Sequence, residues 1–177
     1  MNSADQTKSR IYLTVLTGFL GAGKTTILNR YLESPFGEGT AVLVNEFGDV
    51  DVDSAIIGAA SEGGKMMSLP NGCVCCEMQD DLSSTLIELA ERHNSEGDIS
   101  RCIIETSGLA VPSSILRTIG RNPSLKAEFE VAQTICVASA PAIIDQANKY
   151  IEAAEQIAIS DKICLLYTSD AADETCR

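Results

Sequence analysis

Basic residues are scarce in this chain of 177 residues, with 13 Lys and Arg against 25 Asp and Glu and a net charge of −12 at pH 7. Binding a nucleic-acid backbone without sequence preference takes a clustered cationic face, so no nucleic-acid partner is expected. An acidic surface of this kind usually serves solubility and can attract basic partners. Histidine is almost missing. The single one, His93, falls at the polar end of a predicted helix with nothing beside it in sequence to support coordination, so it is expected at the surface and not on a metal. No apolar run reaches membrane-spanning length, and residues 1–10 are polar and lack the hydrophobic segment of a signal peptide. No membrane partner is therefore expected, and the cytoplasm is the default location. In that setting the seven cysteines are expected as thiols, metal ligands or core residues, not as a disulfide framework.

Apolar residues are plentiful at 45%, enough for one domain with a substantial core. The chain is organised around residues 15–26, V-L-T-G-F-L-G-A-G-K-T-T, which hold the pattern G-x-x-x-x-G-K-T from Gly18 through Gly23 and Lys24 to Thr25. The apolar run 11–16 ahead of it reads as a buried strand and 26–33 behind it as a helix, the context a phosphate-binding P-loop needs. Gly18, Gly21 and Gly23, with Ala22 between the last two, allow positive φ and turn backbone N–H groups inward at the positive end of the helix. Lys24 brings a mobile positive charge to β- and γ-phosphate oxygens, and the Thr25 hydroxyl suits the Mg²⁺ that bridges them. Thr26 supports the helix start. A glycine-rich turn that binds nothing is the alternative, and the full pattern with its flanks weighs against it.

Along the chain, 34–39 is a turn-rich connection, 41–44, 101–105 and 131–138 read as buried strands, and 162–166 as the start of another. Residues 65–68 read as a short strand after a Gly-rich turn at 61–65. Helices are predicted over 80–94, 113–121 and 142–160, with Pro112 at a favoured first helical position. Cys102 and Cys136 lie inside apolar runs and are expected to pack in the core. Strand and helix alternate, which predicts an α/β fold with a largely parallel sheet, helices on both faces and sites at the carboxyl ends of strands.

Three further stretches carry chemistry. Residues 45–53, N-E-F-G-D-V-D-V-D, follow a strand end, and the carboxylates of Glu46, Asp49, Asp51 and Asp53 can hold Mg²⁺ directly or through water while the loop senses a γ-phosphate; a solvated acidic loop is the alternative. Residues 71–76, N-G-C-V-C-C, set Cys73, Cys75 and Cys76 on a bent backbone after a tight turn. Such a set offers thiolates to Zn²⁺, Co²⁺ or Ni²⁺, and without a second ligand pair it suits a metal that is handed on; a redox pair or incidental thiols remain open. Residues 105–108, E-T-S-G, put Glu105 at the carboxyl end of a strand, where it can serve the Mg²⁺ shell or orient an attacking water, with the Gly108 N–H near the γ-phosphate. ExxG alone is a weak pattern, strengthened by its order after the P-loop.

Taken together, TGFLGAGKTT at 17–26, NEFG at 45–48, NGCVCC at 71–76 and ETSG at 105–108 resemble the CobW-like metallochaperone GTPases, kin of HypB and UreG, over residues 11–163. The resemblance implies a P-loop NTPase fold and a GTP- and Mg²⁺-dependent hydrolase that delivers a transition metal to a target metalloprotein or cofactor-biosynthesis enzyme. It implies phosphate and Mg²⁺ at Gly21, Gly23, Lys24, Thr25 and Thr26, hydrolysis and switching at Glu105 and Gly108, and cargo metal at Cys73, Cys75 and Cys76. A homodimer is left open.

Two other classes compete. A small-molecule kinase would pass phosphate to an acceptor, and a metal buffer or thiol sensor would bind metal without regard to nucleotide. Residues 155–163 resemble the family segment that runs into NKxD, whose carboxylate recognises guanine, but C-L-L-Y-T-S-D-A-A-D-E follows here. Residues 165–174 can be encoded by a string resembling a transposon-end sequencing adapter, so 164–177 are expected to be a non-native tail on a domain truncated before NKxD. This chain is expected to bind nucleotide poorly or without base discrimination, and residues 1–10 are expected to be a polar leader.

Overall fold

Strands that are apolar on both sides of the pleat, as Ile11–Thr17 and Arg101–Thr106 are here, suit a sheet covered on both faces, and six strands order the described residues, 9–45, 66–68 and 77–167, of the computed structural model. They are β1 Ile11–Thr17, β2 Thr40–Asn45, β3 Met66–Ser68, β4 Arg101–Thr106, β5 Phe129–Ser139 and β6 Lys162–Leu166. All pair in parallel, in the order β3-β2-β4-β1-β5-β6. β1 therefore lies inside the sheet, with β4 on one side and β5 on the other. The predicted parallel α/β fold is the one observed.

Side-chain alternation along β1 splits the core in two. Ile11, Leu13 and Val15 point to one face, where they meet Leu82, Leu86 and Leu89 of α2 (Glu77–Glu96), Ile115 and Ile119 of α3 (Ser113–Arg121) and Leu125 of α4 (Pro123–Glu128). Leu16 points the other way and packs with Val42, Val137 and Leu28 of α1 (Lys24–Leu32). Each fully buried leucine contributes about 2 kcal/mol, so this interdigitation of two apolar faces is the main stabilising term. Among the described residues no helix is long and apolar enough to cross a membrane.

The helix predicted over 142–160 is two helices, α5 Ile143–Lys149 and α6 Ile151–Ile159, parted at Tyr150, whose backbone is extended (φ −125°, ψ 121°). Nothing in local propensity demands the break. The Tyr150 ring stacks on Phe19 with centroids 4.7 Å apart, and the extended residue frees α6 to turn Ala153 and Gln156 inward. The short α4 was not anticipated either. Asn122 caps it by accepting from the Ser124 and Leu125 N–H groups, with Pro123 in the first turn.

Cys102 and Cys136 are buried as expected, and Cys164 is half-buried in β6; all three are free thiols. Burial pushes the Cys102 thiol from 9.0 up to about 12. Burial also raises Cys136, opposed by the nearby Lys24 charge. In the native protein at pH 8, Cys102 is expected to resist an aqueous disulfide reagent and to react on unfolding. The unfolded chain releases this proton first, so the contribution to stability is intact below pH 9.0 and is lost as pH rises towards about 12. The slope is about 1.4 kcal/mol per pH unit at most. Denaturant titrations of Cys102→Ala and the native sequence between pH 8 and 11 check it: the difference between them should change with pH.

Candidate nucleotide site

The P-loop joins β1 to α1, and its glycines have the predicted backbone: φ is 145° at Gly18, 70° at Gly21 and 92° at Gly23. Gly18 is the tightest of them. A Cβ there would fall 2.1 Å from the Val137 carbonyl oxygen of β5, so the loop leaves the sheet in direct backbone contact with the neighbouring strand. Ala22 is buried, and its N–H bonds the Phe19 carbonyl at 3.1 Å, closing the turn. Gly23 is the N-cap of α1 in left-handed conformation with no side-chain cap, which leaves the first-turn N–H groups of Lys24, Thr25 and Thr26 at the positive helix end. Thr25 and Thr26 are exposed there.

Strand order brings the second predicted motif to the first. Leu16 of β1 pairs with Glu105 of β4, so the two strands end side by side. Just beyond, the Thr106 hydroxyl donates to Thr17 Oγ1 at 3.0 Å, tying the strand ends together. The Thr25 hydroxyl donates to Glu105 Oε1 at 2.8 Å, across 80 residues of sequence. Glu105 is nearly buried, at 5% exposure. Lys24 Nζ donates to the Gly18 carbonyl at 2.8 Å, folding the side chain back over the loop.

The loop after β4 packs directly on the P-loop. A Cβ at Gly108 would stand 2.7 Å from Leu20 N, so this position takes glycine for want of space. From α6, Gln156 Nε2 lies 3.0 Å from the Gly108 carbonyl and 2.9 Å from that of Ala110. Sequence reasoning missed Gln156; the available signal was a polar residue three positions from Ala153 on an otherwise apolar helix face. It also missed the Phe19–Tyr150 stack.

Of the predicted site residues, Gly18, Gly21, Ala22, Gly23, Lys24, Thr25, Thr26, Glu105 and Gly108 thus gather at the carboxyl ends of β1 and β4. Glu46, Asp49, Asp51, Asp53, Cys73, Cys75 and Cys76 lie outside the described residues, as do the turn expected at 61–65 and Cys176. β2 ends with Asn45 in register with Thr106. His93 is half-buried rather than exposed: it lies in the last turn of α2 and donates from Nε2 to the Ser9 carbonyl at 2.9 Å.

A parallel sheet with a P-loop after its first strand and an acid on the adjoining strand end defines a P-loop NTPase fold. Residues 12–176 match the CobW/HypB/UreG nucleotide-binding domain. The chain belongs to that family, as its four motifs implied. It is 37% identical over 145 residues to the zinc chaperone CobW of Pseudomonas aeruginosa, covering 78% of this chain and 38% of that protein. It is 36% identical over 166 residues to the zinc chaperone YjiA of Escherichia coli, covering 93% and 51%. The chain thus spans about half or less of these relatives. The structure of Zn(II)-bound YjiA GTPase from Escherichia coli superposes with a TM-score of 0.69 at 31% identity, over 93% of this chain and 51% of that one. HypB from Helicobacter pylori in complex with nickel shares the fold, with a TM-score of 0.53 at 16% identity over 90% and 80%.

Proposed function

We propose that the chain is the GTP-binding and GTP-hydrolysing part of a cytoplasmic metallochaperone, which carries a transition metal of the zinc, cobalt or nickel class on Cys73, Cys75 and Cys76 to a target metalloprotein or cofactor-biosynthesis enzyme. The observation that carries the reading is the meeting of Thr25 and Glu105 at 2.8 Å beside Lys24, which makes one site of two motifs. Relatives named zinc chaperones and a Zn(II)-bound GTPase support the cargo and the nucleotide.

The residues at hand fit Mg²⁺: the Thr25 hydroxyl and the Glu105 carboxylate are hard oxygen donors within hydrogen-bond distance of each other. Asp53 is a third oxygen donor proposed for it. When bound, Mg²⁺ supplies positive charge to the β- and γ-phosphate oxygens. The chain's own groups do the rest. N–H groups of the loop and the first turn of α1 cradle the phosphates, and Lys24 exchanges the Gly18 carbonyl for phosphate oxygens. Glu105 orients a water for in-line attack on the γ-phosphate, its position held by Thr25. The Gly108 N–H meets the γ-phosphate, so the loop after β4 senses whether it is present. Cargo metal on the cysteines and γ-phosphate at Lys24 bias the same switch region, and hydrolysis releases the metal.

Cobalt titration of the reduced chain, followed by thiolate-to-cobalt charge-transfer absorption, tests this reading. Affinity is expected to differ with and without a GTP analogue and Mg²⁺. Cys75→Ala should weaken cobalt binding by more than about tenfold, with nucleotide affinity unchanged. Equal losses of both, or cobalt binding that ignores nucleotide, would count against a coupled chaperone.

A further inference from the structure

Gln156 has no exposed surface, yet it is a primary amide in a mostly apolar setting that Val137, Ala138, Ala153 and Ile157 line together with Gln146. Both of its N–H groups are spent on one loop, on the carbonyls of Gly108 at 3.0 Å and Ala110 at 2.9 Å. Turned over, the amide would set its oxygen against those two acceptors, so they fix its orientation. The oxygen is buried with no hydrogen-bond partner among the described residues. What the amide does in the core is grip this loop.

That loop ends against the phosphate-binding turn, since Gly108 lies on the Leu20 backbone too closely for any side chain. The helix carrying Gln156 touches the same turn at its other end, where Tyr150 caps α6 and stacks on Phe19. The P-loop, the segment 108–110 and α6 therefore close a ring, and Gln156 is its polar link. We propose that Gln156 is a positioning residue: its amide holds the Gly108–Ala110 backbone at the height where the Gly108 N–H meets the third phosphate, and so sets the preference for nucleoside triphosphate over diphosphate. This rests on the γ-phosphate role proposed above for Gly108.

The test uses Gln156→Met, which keeps length and volume but cannot donate. Affinities for a non-hydrolysable GTP analogue and for GDP are measured by competition in the presence of Mg²⁺. Base and ribose contacts are common to both ligands and cancel in the ratio. The triphosphate-over-diphosphate ratio is expected to fall about tenfold while GDP affinity stays within about twofold of the native value. In the native chain, the Gln156 side-chain amide resonance, assigned by its loss in the variant, is expected to shift with the analogue and not with GDP. A native triphosphate preference that survives unchanged in Gln156→Met, or equal losses for both nucleotides, overturns this inference alone. A native chain with no triphosphate preference overturns the role of Gly108 together with it.

Discussion

Lys24→Ala is expected to lower affinity for GTP by about 10³-fold, close to 4 kcal/mol, from two charge-assisted hydrogen bonds of about 2 kcal/mol each. Lys24 is half-buried, and in this structure its Nζ is satisfied by the Gly18 carbonyl at 2.8 Å. Losing that bond alone costs about 1 kcal/mol, so the melting temperature should drop by only about 3 °C. Calorimetric titration with GTP and Mg²⁺, beside a thermal melt, separates the two effects. A variant that melts normally and binds GTP within threefold of the native chain would place the nucleotide elsewhere than the P-loop.

Glu105→Gln is expected to cut the rate of phosphate release at saturating GTP by about 10³-fold, again close to 4 kcal/mol, with nucleotide affinity changed by less than about tenfold. Glutamine keeps the size and the acceptor oxygen that receives the Thr25 hydroxyl at 2.8 Å, so the packing of this nearly buried side chain is preserved. What is removed is the charge, the property needed to orient water and to favour a divalent cation. A loss confined to affinity with turnover intact would assign Glu105 to binding and leave hydrolysis without its proposed acid.

How far the site was legible depends on how local each part is. Strand, glycine loop and helix lie within a few residues of one another, and the turn needs left-handed dihedrals that glycine supplies, so φ of 70° at Gly21 and 92° at Gly23 follow from the string itself. E-T-S-G, by contrast, is a weak pattern until something places it. Its partner Thr25 is 80 residues away, and the contact exists because β4 inserts next to β1 in the sheet. The helix break at Tyr150 belongs to the same class: its neighbours in sequence favour one long helix, while the stack on Phe19 and the burial of Gln156 favour two.

Sequence by itself determined the phosphate loop, the family and the parallel α/β class, because each rests on residue types at short spacing. Tertiary structure decided that Thr25 and Glu105 share a hydrogen bond, that Gly108 abuts Leu20, and that Gln156 holds the loop after β4. Those are contacts between segments far apart in the chain. Their existence depends on strand order, register and close packing, quantities that no window of residues contains.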